Sequence, residues 1–179
     1  MRSLNVELGG YPMTGFLTGL SFQHLALLTL PIPLIHFFEE VPRFVPWATE
    51  HVRDFYLNYR DKQKVFYAEN ALMFAVAIVT IVLLNIFPGN RVLQGLVLGG
   101  AVIFLQNTWF HTKKTLSSGI YSPGVVTASL LFPFTAFLMI WKANQVGIFT
   151  LQVVIIAIVY GMAFVAGLVV FTHRVIFIQ

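Results

Sequence analysis

Five apolar stretches, at 17–38, 68–88, 92–111, 121–141 and 148–172, each reach the roughly 20 residues that a helix needs to cross a bilayer. No other feature constrains the fold as strongly. The expected fold is all-α: a polytopic membrane helix bundle of about five transmembrane helices, in a single domain over 1–179. Composition agrees, because only 10% of the residues are charged, against about 25% in soluble domains. The joints are legible as "FPGNR" at 87–91, a polar loop at 111–124 and another at 142–147. The first twenty residues lack the apolar core and cleavage site of a signal peptide and read as an exposed tail.

Only 41–67 is both long and polar. Within it Trp47, Val52, Phe55, Tyr56 and Tyr59 recur at helical spacing, with Glu50, Arg53, Asp54 and Arg60 between them. That pattern predicts an amphipathic helix at the membrane surface over about 47–62. His51 would be a solvated part of it.

The net charge of +4 would suit a nucleic-acid partner. The basic residues are instead spread over the loops between spans, so no nucleic acid is expected and the bilayer is the partner. With five spans, Arg43, Arg53, Arg60, Lys62, Lys64, Lys113, Lys114 and Arg174 fall on one side. Arg2, Arg91 and Lys142 fall on the other. Basic loops stay in the cytoplasm, so the N-terminus is expected outside and the C-terminus inside. The chain contains no cysteine, which excludes disulfides, thiolate metal sites and cysteine nucleophiles.

The polar residues near the spans collect at that same inner side. His36, Glu39 and Glu40 end the first span, and Glu69 and Asn70 begin the second. Asn107 and His111 end the third, Tyr121 and Thr127 flank the start of the fourth, and His173 ends the fifth. A single such residue at a helix end is ordinarily an anchor reaching toward water, and His173 beside Arg174 fits that description. Independent anchors would occupy both faces of the membrane. Ionisable groups at membrane depth are costly and tend to mark a site.

Spacing sharpens the reading. His36 and Glu40 are four residues apart, within about 40° of each other on a helix, and Glu39 lies on the other flank. Asn107 and His111 repeat the four-residue spacing. Nitrogen and oxygen ligands without sulfur suit Zn²⁺, Fe²⁺ or Mn²⁺. The candidate metal ligands are His36, Glu39, Glu40, Glu69, His111 and His173, for one ion or two. The candidate catalytic residues are Glu39 as base, Asn107 holding a reacting oxygen, and Tyr121 as a donor. His24 lies about 18 Å along the helix from His36 and is left out, as a buried hydrogen-bonded histidine. Pro31 and Pro33 bend the first span, either to aim His36 and Glu40 inward or for packing alone. Gly99, Gly100, Gly161 and Gly167 suit close helix packing. "YSPGVVT" reads as a helix start, with Ser122 as N-cap, Pro123 in the first turn, and a positive terminus turned toward the cluster.

Three motifs, His36-x-x-Glu39-Glu40, Asn107-x-x-x-His111 and Tyr121-x-Pro123-Gly124-x-x-Thr127, occur in this order over about half the chain. Together they resemble the HXXEE-motif integral membrane proteins, small multi-span proteins found mainly in prokaryotes. The resemblance implies a prokaryotic inner membrane and a defining set of those nine residues. It implies no settled activity; a metal-dependent enzyme is the activity it suggests.

The expected function is a membrane metalloenzyme using zinc or iron, a hydrolase acting on a lipid-like or membrane-embedded substrate. The alternatives are a di-iron oxidase or oxygenase on the same cluster, a metal-free intramembrane glutamic protease, a transporter, and a non-catalytic subunit. A homo-oligomer is compatible with each.

Overall fold

The computed structural model describes residues 19–52 and 61–171. His173, Arg174, residues 1–18 of the N-terminal tail and residues 53–60, half of the expected surface helix, lie outside the described residues.

Among the described residues the chain forms seven α-helices. The first two, α1 (Phe22–Thr29) and α2 (Pro31–Glu40), are nearly one rod, because Leu30 between them keeps helical dihedrals, φ −57° and ψ −37°. Pro31 has no N–H to offer the carbonyl of Leu27, so that carbonyl takes a bond from Leu30 instead, at 3.2 Å. Ser21 caps α1 by accepting from the His24 N–H at 3.2 Å. After α2 the chain turns by 70° into α3 (Phe44–His51).

Three long helices and a fourth follow. Asp61 caps α4 (Lys62–Ile86), accepting from Lys64. Asn90 closes the tight turn and caps α5 (Arg91–Ser118), accepting from Val92 and Leu93. Gly119, at φ 67°, ends α5 in the left-handed region that glycine enters without strain. α6 is Val125–Gln145 and α7 is Leu151–Phe171. Four helices are long and apolar enough to cross a membrane, and five spans result if the bent pair that begins at Phe22 is one of them.

The boundaries differ from expectation where polar residues extend a helix instead of ending it. α4 begins at Lys62, not 68, and α5 runs on through Lys113 and Lys114. The expected surface helix is not one continuous element, since α3 ends at His51 and α4 starts at Lys62. Its described part, α3, packs on the bundle. Phe44, Val45, Trp47 and Ala48 are buried in a small core with Val65 and Phe66 of α4. His51 is half-buried and stacks on Trp47 with ring centroids 5.8 Å apart, and His24 is exposed. Lys142, expected in a loop, is buried in the last turn of α6 and donates to Gln145 at 2.9 Å.

α5 is the central helix, packed along α6 and α7. Gly95 and Gly99 of α5 and Gly161 of α7 let the two backbones approach. A Cβ on Gly99 would stand 3.0 Å from the Ala157 carbonyl oxygen, and one on Gly161 the same distance from the carbonyl of Gly99. Gly100 and Gly167 have open space around them, so close packing does not explain either. The larger core, with Phe22, Leu25, Leu84, Leu98, Met139 and Val153 among its members, fills the end of the bundle away from α3.

Candidate metal centre

The polar residues singled out in the sequence converge where α2, α5 and the loop before α6 meet. His36 and Glu40 project from one face of α2, and both are buried. His111 comes from α5 and is 1% exposed. The carboxylate oxygen Oε1 of Glu40 lies 3.5 Å from Nε2 of His36 and 3.2 Å from Nε2 of His111. Those three residues form a group whose ligand atoms lie within 4.8 Å of one another. Ligands at 2.0–2.1 Å from a tetrahedral ion stand about 3.3 Å apart, and both measured edges are close to that.

The outer nitrogens of the two rings are held. Nδ1 of His111 meets Oγ of Ser122 at 2.9 Å. Nδ1 of His36 meets Oγ1 of Thr127 at 2.7 Å. The direction of the second bond follows from proton counting. The single hydroxyl proton of Thr127 goes to Oε2 of Glu39 at 2.5 Å, so Oγ1 accepts and His36 Nδ1–H donates. In the neutral ring the lone pair then sits on Nε2, facing Glu40. That nitrogen is buried and has no hydrogen-bond partner.

Glu39, expected as base or ligand, lies outside the three-residue group and is engaged elsewhere. Its oxygens accept from the N–H of Val126 at 3.2 Å and of Thr127 at 2.9 Å, and from the Tyr121 hydroxyl. It therefore caps α6 from a different helix, where a carboxylate is favoured by the unsatisfied N–H groups and the positive end of the dipole. The expected cap, Ser122, is used on His111 instead, and α6 begins at Val125 after Gly124. Pro123 accordingly precedes the helix. The helix terminus does face the cluster and does hold a carboxylate, Glu39.

Gly124 explains why this loop comes so close. At φ 92° it is in a conformation that side chains strain to adopt, and a Cβ there would stand 2.6 Å from Cε1 of His36 and 3.0 Å from Cε1 of His111. Phe132 closes another wall, its ring centroid 4.6 Å from that of His36.

Asn107 and Asn70 line a cavity together with His36 and Glu40. The side-chain oxygen of Asn107 is buried and unpartnered, while Asn70 donates to the Phe66 carbonyl at 2.9 Å. Glu69 is not in the three-residue group. It lines an adjoining cavity with Glu40 and His111. Tyr121 is half-exposed, and burial together with its bond to Glu39 pushes its phenol up to about 12. Sequence reasoning missed Ser122 as a partner of His111. The one available signal was its place inside the third motif.

A family model described as "Protein of unknown function with HXXEE motif" matches residues 27–139, which include all nine motif residues. The chain belongs to that family. No curated protein and no solved structure matches it.

Proposed function

We propose that this HXXEE protein is a metal-dependent membrane hydrolase in which His36, Glu40 and His111 hold one divalent ion, zinc or iron. The observation that carries the reading is the buried cluster itself, in which ligand atoms of His36, Glu40 and His111 lie within 4.8 Å of one another. The fit is supported by the ligand spacing, by two nitrogens and one carboxylate as donors, and by held outer nitrogens of both rings. Three protein ligands leave a position open, as in catalytic rather than structural sites.

Such an ion supplies Lewis acidity and a more acidic bound water. The chain's residues do the remaining work. Thr127 and Ser122 fix the two rings, and Glu39 fixes Thr127. Glu40 contributes the negative charge. Asn107, with its unpartnered oxygen in the cavity, orients a donor on the substrate. Proton transfer falls to Glu69, which lines the cavity with Glu40 and His111. Glu39, engaged by α6, is a positioning residue in this reading, which supports one ion over two. The loop charges support placing the site at the cytoplasmic side.

Elemental analysis of gently purified protein tests this. About one equivalent of zinc or iron per chain is expected. Glu40→Gln and His111→Ala should each lower the affinity more than about 100-fold, beyond the 10–100-fold typical of outer partners. Each variant removes one member of a buried cluster and so also costs stability; metal is therefore counted per chain in the folded, monodisperse fraction. Wild-type protein without stoichiometric metal overturns the reading.

A further inference from the structure

The cavity that begins at His36, Glu40 and Asn107 does not stop there. It continues between α1, α4, α5 and α7 as far as Ile81 and Leu96. Along α5, Asn107 to Leu96 is eleven residues, about 16 Å at the helical rise. The two threonines on its wall turn their hydroxyls away, Thr29 to the Ala26 carbonyl at 2.7 Å and Thr80 to the Val76 carbonyl at 2.7 Å. Tyr160 is the remaining polar side chain along the far part, and no charged group lines it. Gly100 also faces this cavity, with nothing within 4 Å of the point where its Cβ would stand.

The polar end and the apolar length define an occupant. A buried carbonyl oxygen without a donor costs free energy, and Asn107 Oδ1 is such an oxygen. Its complement is a hydroxyl or amide N–H. The passage beside Gly100 is a route for hydrocarbon. We propose that the cavity binds a single-chain lipid, with a hydroxyl or amide donor on Asn107 and an acyl chain running along α5 past Gly100 toward Leu96. At ordinary carbon geometry, 16 Å accommodates a chain of about a dozen carbons. The inference deepens the hydrolase reading by naming its substrate class. It rests on that reading only for which end of the lipid faces His36 and His111.

Monoacylglycerols carrying a diazirine at the chain end, with twelve or six carbons, serve as probes. After photolysis with the full chain in detergent, labelled positions are mapped by mass spectrometry. The twelve-carbon probe should label Ile81, Leu96 or Val97, and the six-carbon probe should not reach them. Gly100→Leu fills the passage and should cut that labelling about tenfold or more with metal content unchanged. Ala77→Leu, from the facing helix, is the second variant if the first does not fold. Asn107→Leu should weaken the apparent Kd about tenfold, the loss of one hydrogen bond to a buried group. Labelling unaffected by both filling variants, or spread over lipid-facing residues such as Ile78 and Val79, overturns the proposal. Metal-free wild type labelled at the far end supports the lipid site while removing the metal reading. Metal-loaded wild type with no labelling there overturns the lipid site alone.

Discussion

The two halves of α5 bury polar atoms under opposite rules. In the first half Gln94 is buried and fully engaged, donating to the Pro88 carbonyl at 2.7 Å and accepting from Arg91 at 3.1 Å. Around it Gly95 and Gly99 bring the α7 backbone close. In the second half, Asn107 and His111 stand among groups that are not all matched. The three buried side-chain atoms without partners among the described residues are His36 Nε2, Asn107 Oδ1 and Trp47 Nε1, and all belong to this end. Native interiors satisfy nearly all buried polar groups, and these exceptions gather at the end that carries the His36, Glu40 and His111 cluster. The glycines of the first half bring the α7 backbone close, and the second half carries the atoms to which the proposed ion and lipid headgroup would bind.

The strongest way to break this contrast is to disturb the packing half alone. In Gly99→Leu the new Cβ meets Tyr160 at 2.5 Å and the Ala157 carbonyl at 3.0 Å. The ring can rotate, but the carbonyl belongs to a helix backbone. Overpacking of this kind costs about 3 kcal/mol or more. We expect loss of most folded protein, read as the monodisperse peak in detergent and the thermal midpoint. Metal per folded chain should not change. A stable Gly99→Leu protein with reduced metal would show that the two halves are not separable.

A smaller effect sharpens the other side. Thr127→Val keeps the shape of the side chain and removes the hydroxyl between Glu39 and His36 Nδ1. Chelator competition should then show metal affinity lowered about 10–100-fold, the usual consequence of losing an outer partner of a ligand histidine. Thr127→Ser, which restores the hydroxyl, should recover it. The thermal midpoint should shift far less than in Gly99→Leu. Equal affinities for the valine and wild-type proteins would mean that the threonine only packs.

What sequence reasoning captured and missed follows the same division. Spans are legible because hydropathy is a local property of roughly 20 residues. The pairing of His36 with Glu40 is legible because four residues are one helical turn. The facing of His111 toward that pair could be guessed only from the one-sided placement of polar residues along five spans. The use of Glu39 was not legible. Its partners Val126 and Thr127 are 87 and 88 residues away. No local pattern distinguishes a carboxylate that caps a distant helix from one that binds a metal. Ser122 was misread for the converse reason. A serine before a proline at a helix start is a sound local cap, and the tertiary contact with His111 overrides it. The fate of Gly100 was equally hidden, because a glycine that fits two helices together and one that leaves room for a ligand look alike in sequence.

The smallest expected effect concerns Tyr121, at the outer edge of the polar end. Its hydroxyl donates to Glu39, and the side chain is half-exposed. A bond to a charged acceptor is worth about 1.5–3 kcal/mol when buried, and solvent screening reduces that to about 0.5 kcal/mol here. Tyr121→Phe should therefore lower the thermal midpoint by only about 1–2 °C. Its pH dependence is the informative part. Burial and Glu39 raise the phenol to about 12 in the folded protein, against about 10 unfolded. A raised pKa contributes stability that is complete below the unfolded value and lost as pH climbs through the folded one. The gap between wild type and Tyr121→Phe should thus be constant from about pH 7 to 9 and shrink as pH climbs above about 10. A gap that stays constant through that climb would mean that the phenol packs instead of donating. Position 121 would then obey the rule of the glycine half of α5, and the polar end would stop at Glu39.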